Sequence, residues 1–344
     1  MKSFKELHTV NEEIADYQLV ILTAHDEDDP NTTAVLIRDT ARKMGITVHL
    51  VDFKGMYISE KAGQQFINAF ETDKEGKVIQ PTLKDTEADY LDPIPIDPKN
   101  TLIMCRGLGD AGVSSNSSWT IISQDLEHQG YTLINSVKCH DICKDKLHNQ
   151  LYFERNDIPH PNTVRIKHVQ LADRAFKELN TTFPIILKTA TGSQGVGVLL
   201  IESASSLNSF IQLIHKQNEY LSILLQEFVE SEYDVRAIVC NGEVVGAMKR
   251  PVVEGDFRSN VAQGSKPEGI ELTDLEISEC LRAAEAVQGI LVGVDFFPAV
   301  DREKDQPLFI EVNSVPGLNG IEEVSKGIVK KILESFKNRQ NWQA

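Results

Sequence analysis

The sequence predicts a mixed chain, α/β at its start and α+β after it, and three observations carry that prediction. A strand–helix–strand order opens the chain, a β-rich stretch begins at Pro184, and two hairpin patterns lie beyond it. At 344 residues the chain is longer than one compact domain, so two or three packed units are expected.

Residues 18–23 (QLVILT) form a short apolar run, followed by a polar loop at 24–31 and a helical stretch at 33–44 that Gly45 stops. Residues 47–53 (TVHLVDF) return as a strand by their β-branched content, which predicts a parallel start. The loop lacks GxGxxG, and Asp26, Glu27, Asp28 and Asp29 would repel a pyrophosphate, so the usual dinucleotide site is excluded. Residues 54–99 are polar and contain Pro81, Pro93, Pro95 and Pro98, which marks an irregular or inserted region. A strand at 101–105 ends at Arg106, with Gly107 and Gly109 behind it. A helix at 118–129 and a short strand at 132–135 complete the first unit by about Pro161.

From Pro184 onward, strands are predicted at 183–188, 198–201, 223–228, 235–240 and 244–249, with a helix at 206–217. Asn241-Gly242 predicts a type I′ turn between the last two strands. Residues 271–289 form an amphipathic helix with Leu275, Cys280, Leu281 and Ala284 on one side. A second hairpin pairs 291–297 with 307–312, and a helix at 324–336 follows.

Composition narrows the function classes. The hydrophobic fraction of 41% and charged fraction of 25% are those of a globular protein, and no apolar run approaches the ~18 residues that would cross a bilayer. The polar start lacks a secretory pattern, so a cytoplasmic location is expected. Five scattered cysteines argue against a disulfide framework. Cys139, His140, Cys143 and His148 fit no common zinc spacing, so buried thiols and surface histidines are expected there and no zinc. A net charge of −16 disfavours a nucleic-acid partner. An acidic substrate remains open, because a site needs only a few local cations.

Three segments carry chemistry. In PIILKTATGSQGVGVLLI, residues 184–201, Lys188 closes an apolar strand before a loop with Gly192, Gly195 and Gly197. Such glycines let backbone N–H groups approach phosphate oxygens while the lysine adds a point charge, although a plain glycine hairpin reads as well. Glu311 and Asn313, two apart on FIEVNS, share a strand face, and hairpin pairing can bring Asp295 of VGVDFF beside them. Three hard oxygen ligands suit Mg²⁺; a polar strand face, or acids satisfied by arginine, are the alternatives. KRPVVEGDFRSN, residues 249–260, places Lys249, Arg250 and Arg258 around a turn, where they can neutralise a carboxylate or a transferring phosphoryl group, or simply face water.

Taken together, TGSQGVGV, LLQEFVESEYDVR, EGDFRSN, GVDFF and EVNSVPGLNGIE resemble, in order and spacing, the RimK-type α-L-glutamate ligases of the ATP-grasp superfamily over residues 145–336. The resemblance implies an ATP-grasp fold with an N-terminal pre-ATP-grasp parallel α/β domain at 1–140, the insertion near 54–99 included. A central lid subdomain at 141–221 and a C-terminal subdomain with the metal site at 222–344 would follow. It implies that Lys188 contacts the α- and β-phosphates, that Lys146 is the earlier nucleotide-binding lysine of the central domain, and that Gly192, Ser193, Gln194, Gly195 and Gly197 close over the triphosphate. Gln226, Glu227 and Val229 would receive adenine and Asp234 the ribose. Asp295, Glu311 and Asn313 would hold Mg²⁺, with Mn²⁺ a substitute. Arg258 and Asn260 would lie beside the γ-phosphate and the acyl phosphate, Lys249 near a phosphate and Arg250 near the substrate.

The activity so implied is ATP-dependent carboxylate–amine ligation through an acyl phosphate, in which Arg258 stabilises the tetrahedral oxyanion. The carboxylate partner would be L-glutamate or a peptide or protein C-terminus, with an amine acceptor, in a homo-oligomer (dimer or tetramer). The GDFRSN and EVNSVPGL segments favour RimK-type or lysine-biosynthetic relatives over D-alanine ligases. A small-molecule amino-acid or dipeptide ligase, glutathione-synthetase-like or lysine-biosynthesis-like, stays open. So does a non-catalytic ATP-binding scaffold, which would need no intact metal set.

Overall fold

In the computed structural model the described residues are 17–23, 32–70, 91–106, 118–189, 197–218, 222–252 and 266–342. They divide into two units: Met1–Ser136 with Gly327–Ala344, and Val137–Lys326.

The first unit contains β1 (Gln18–Thr23), α1 (Thr32–Lys43), β2 (Thr47–Asp52), β3 (Met56–Lys61), β4 (Gln64–Ala69), β5 (Ile94–Ile96), β6 (Thr101–Arg106), α2 (Ser118–His128) and β7 (Thr132–Ile134). The expected parallel start is present: β2-β1-β6-β7 form one sheet whose neighbours all run parallel. The polar stretch expected to be irregular differs in its described part. There, β3, β4 and β5 build a second, antiparallel sheet, and the turn between β3 and β4 has positive φ at both Ala62 and Gly63. Ile67, Ala69, Ile94 and Ile96 of that sheet pack with Val20, Leu22, Val51, Ile103 and Cys105 of the parallel one in a single buried cluster. All of β3 is half-exposed or exposed, which is why its composition reads as irregular.

The second unit begins at Val137, earlier than expected, with two helices the sequence reading left out. These are α3 (Val137–Lys144) and α4 (Lys146–Arg155). Asp145 caps α4, its carboxylate accepting from Leu147 N at 2.8 Å and His148 N at 3.1 Å, so Lys146 is the first helical residue. There follow β8 (Thr163–Ile166), α5 (Ala172–Leu179), β9 (Ile185–Thr189), β10 (Val198–Ile201), α6 (Ala204–Asn218) and β11 (Ile223–Glu227). The strands form an antiparallel sheet in the order β10-β9-β11-β8. Ile185, Leu187, Ile223 and Leu225 point to one face and pack with α5 and α6 residues such as Leu179 and Leu207. Lys188, Leu224 and Gln226 therefore occupy the opposite face. A boundary at 222 would cut this sheet, because β11 pairs with both β9 and β8.

Next come β12 (Tyr233–Cys240), β13 (Glu243–Pro251), β14 (Glu268–Gly269), α7 (Asp274–Ala286), β15 (Leu291–Phe297), β16 (Leu308–Asn313) and α8 (Asn319–Val324). They make an antiparallel sheet, β14-β13-β12-β15-β16. Asn241 and Gly242 both have positive φ, as the type I′ turn requires. A capping box between Thr273 and Glu276 starts α7, which packs Cys280, Ala283, Ala284 and Val287 against Val235, Ala237, Val294, Phe296 and Val312. One face of this sheet is thus apolar, and the alternation sends Asp234, Arg236, Arg250, Asp295 and Glu311 to the other. The helix expected at 324–336 is present as α9 (Ile328–Ser335), which belongs to the first unit; it starts later than expected because Gly327 adopts positive φ, and α8 ends separately at Val324.

Candidate active site

Both sheets and α4 of the second unit contribute to one pocket, lined by Lys146, Asn149, Gln150, Lys188, Leu224, Gln226, Ile310 and Glu311. Asn149 Nδ2 donates to the Val312 carbonyl at 3.0 Å, which anchors α4 on β16 and fixes Lys146 beside Glu311. Lys146 and Lys188 thus share this pocket with Glu311. Burial lowers the Lys188 pKa to about 8; the Glu311 charge pulls it up and Lys146 pushes it further down. Since kcat/KM reports the free enzyme, kcat/KM for ATP is expected to be level below about pH 8 and to fall above it as the ammonium is lost. Lys188→Arg should remove that fall, and a pH profile of the two proteins checks it.

Gln226 is buried, and its Nε2 donates to Thr163 Oγ1 at 2.8 Å, so Oε1 is the amide's acceptor end. Glu227 supports the neighbouring chain: its carboxylate accepts from Asn162 N at 2.8 Å and Asn162 Nδ2 at 3.0 Å. Val229 is half-buried just beyond β11. Gly197 has φ +78, and a Cβ there would lie 2.2 Å from Thr189 Oγ1, so only glycine closes the loop against β9 at this point. Gly192, Ser193, Gln194, Gly195, Arg258 and Asn260 lie outside the described residues.

Asp295, Glu311 and Asn313 are brought together on the polar sheet face. Asp295 pairs with Glu311 in register, and Asn313 Nδ2 lies 3.2 Å from Glu311 Oε1 and 3.4 Å from Asp295 Oδ2. Asp295 is also the acid satisfied by arginine that the sequence left as an alternative. Arg236 donates to it twice, at 2.7 and 2.6 Å, and Arg250 once, at 3.0 Å. Burial would raise the Asp295 pKa, but the two guanidiniums outweigh it and hold the carboxyl below its usual range. Arg236 was not among the expected site residues. Its parity with Asp234 on one strand, directly across from Asp295, is the signal that could have found it.

Two expectations need correction. Asp234 and Arg250 form a buried bidentate pair, with Nε–Oδ1 2.6 Å and Nη2–Oδ2 2.7 Å. Arg250, 2% exposed, thus clamps Asp234 to Asp295 instead of facing a substrate, and a ribose would have to share Asp234 oxygens already held. Lys249 lies on the opposite sheet face. It pairs with Glu268 at 2.9 Å and stands 5.6 Å from the Tyr233 ring centroid, far from a phosphate role beside Glu311, because adjacent strand residues point to opposite sides. Arg250→Met leaves Asp234 buried without its cation, and urea unfolding should register a loss of about 3–5 kcal/mol.

By donor chemistry Glu311, with Asp295 and Asn313 beside it, fits a hard ion such as Mg²⁺ once the arginines share the Asp295 oxygens and the Asn313 amide turns toward the acids the oxygen whose place its nitrogen holds here. Two arginines already balance Asp234 and Asp295, so Glu311 is the acid whose charge an ion would meet.

Comparison with known proteins identifies the family. Residues 143–336 match the RimK-like ATP-grasp domain. A probable alpha-L-glutamate ligase of Thioalkalivibrio sulfidiphilus is 33% identical over 227 residues, covering 65% of this chain and 73% of that protein. One from Picosynechococcus sp. is 32% identical over 226 residues, covering 65% and 73%. Among solved structures, the ATP-grasp ligase PsnB complexed with a minimal precursor superposes with a TM-score of 0.64 at 18% identity, covering 93% of this chain and 99% of that one. A RimK domain ATP-grasp protein from Sphaerobacter thermophilus gives 0.60 at 14% identity, covering 92% and 98%.

Proposed function

Because the chain belongs to the RimK-like ATP-grasp family, and is thereby an ATP-dependent ligase forming C–N bonds, we propose that it joins L-glutamate to the terminus of a protein or peptide. The observation that carries this reading is the single pocket in which Lys146 and Lys188 meet Glu311. Two ammonium groups suit the α- and β-phosphates, and the acceptor end of Gln226 suits a base amine. The substrate carboxylate oxygen attacks the γ-phosphorus, the bond to the β-phosphate oxygen breaks, and ADP leaves. The amine then attacks the acyl phosphate carbon, loses a proton, and expels inorganic phosphate. Arg258 stabilises the oxyanion formed on the way. When bound at Asp295, Glu311 and Asn313, Mg²⁺ supplies charge neutralisation to the phosphate oxygens.

Glutamate follows the probable alpha-L-glutamate ligases among the relatives, and a peptide acceptor follows the analogy of PsnB, whose structure has been solved in complex with a precursor peptide. Mass spectrometry of lysate incubated with enzyme, Mg-ATP and labelled glutamate tests both. The expected result is label on a peptide or protein terminus, with ADP release dependent on that acceptor. Turnover with free amino acids alone would contradict the terminal acceptor, and no ADP release with any carboxylate and amine would contradict ligation itself.

A further inference from the structure

The antiparallel sheet of the first unit ends in a strand edge to which no role has yet been given. Among the described residues β3 pairs with β4 alone, in regular register and with no proline along Met56–Lys61. Such an edge offers main-chain donors and acceptors to a further strand, and folded proteins commonly blunt it with prolines, bulges or charges. The direction of these groups follows from their neighbour. The Gly55 carbonyl accepts from Phe70 N at 3.3 Å, so the alternation of an antiparallel pair has Tyr57, Ser59 and Lys61 bonding to β4. Met56, Ile58 and Glu60 therefore turn their N–H and C=O groups outward.

The side chains indicate what fits this edge. Ile94, Ile67 and Ile58 lie in register across β5, β4 and β3. Ile94 and Ile67 are buried, whereas Ile58, like Met56, is only half-buried against the same core cluster. The isoleucine row thus runs out to the edge with its last member half-open to water. On the other face Tyr57 is 61% exposed. The strand carries one acid, Glu60, and one base, Lys61, and so is neutral on a chain of net charge −16. The excess of acids over the whole chain repels a second copy, and a neutral edge is where such a copy can approach.

Pairing of β3 with its own copy has one favoured register. A two-fold axis perpendicular to the sheet sets the strands antiparallel and opposes only residues that share a face. Centred on Ile58, it sets Ile58 against the partner's Ile58, and Met56 and Glu60 against the partner's Glu60 and Met56. Every outward-facing residue then meets another, and no like charges are opposed. A shift of register in either direction leaves one outward residue opposite a position beyond the strand.

We propose that the chain forms a dimer by joining β3 to the β3 of a second copy, antiparallel and centred on Ile58. The β3-β4-β5 sheets of the two copies become continuous and the isoleucine row crosses the junction. Each edge is consumed by the other, so assembly at this surface stops at two copies.

Sedimentation velocity of the full chain over a range of concentrations, with Ile58→Lys and Ile58→Glu alone and mixed in equal amounts, tests the assignment. The unaltered chain should sediment as a dimer. Each variant opposes like charges at the axis and should raise the dimer dissociation constant at least about tenfold. Mixing the two sets an ammonium against a carboxylate and should recover dimer, a result that failure to fold does not imitate. Hydrogen exchange over Met56–Lys61 in the unaltered chain needs no variant, and it should slow as the protein is concentrated. A monomeric unaltered chain, exchange in β3 that ignores concentration, or a dimer that both variants retain overturns the proposal. Folded variants that stay monomeric when mixed overturn the pairing about Ile58. Exchange that slows only on addition of an acceptor peptide gives the edge to that peptide and overturns the second copy as its occupant.

Discussion

Glu311→Gln is expected to lower turnover by about 10²–10³-fold while reversing the effect of Mg²⁺ on nucleotide affinity. Asp234 and Asp295 are matched by Arg250 and Arg236, so Glu311 is the carboxylate left to attract a divalent ion into a pocket shared with Lys146 and Lys188. Without Mg²⁺ that same carboxylate repels a triphosphate. The glutamine variant should therefore bind metal-free ATP at least as tightly as the parent, and Mg-ATP more weakly. Glu311 also helps hold the Lys188 proton, so the alkaline fall in kcat/KM should move to lower pH in the variant. Titration calorimetry with and without Mg²⁺ and a pH profile read these effects, and equal weakening of both nucleotide forms would contradict the role.

Arg258→Ala is expected to leave Mg-ATP binding near the parent value and to cut turnover by about 10²–10³-fold. A guanidinium that meets charge only as the acyl phosphate and the tetrahedral oxyanion develop contributes little to ground-state affinity. Lysine at this position restores the charge but not the planar fork, so Arg258→Lys should recover only part of the rate. Steady-state ADP release set beside nucleotide binding separates the two quantities. A loss confined to KM for ATP would make Arg258 a phosphate-binding residue instead.

The parts of the fold legible in the sequence are those set by short-range chemistry. Positive φ at Asn241 and Gly242, the two-residue spacing of Glu311 and Asn313, and the apolar strand that Lys188 closes all follow from local pattern. The hairpin that brings Asp295 opposite Glu311 was legible for the same reason. What escaped depends on long-range register or on weak local signals. Strands β3 and β4 are largely polar, and the buried residues of β4 gain cover only from a sheet distant in sequence, so their segment reads as an insertion. Helix α4 is short and polar, with Asp145 as its clearest mark. The cluster of cations after β13 concealed a parity that separates Lys249 from Arg250, and the commitment of Arg250 to two carboxylates depends on pairing across three strands. The tie from Asn149 to Val312 exists only because β16 lies beneath α4.

The account stands on a triphosphate lying between Lys146 and Lys188 on one side and Glu311 on the other. A crystal structure with Mg²⁺ and a non-hydrolysable ATP analogue tests this most directly. The phosphates are expected beside both lysines, the ion at Glu311 with Asp295 and Asn313, and the adenine amine toward Gln226. A nucleotide bound elsewhere on the chain, with Lys188 and Glu311 touching neither phosphate nor ion, would contradict it.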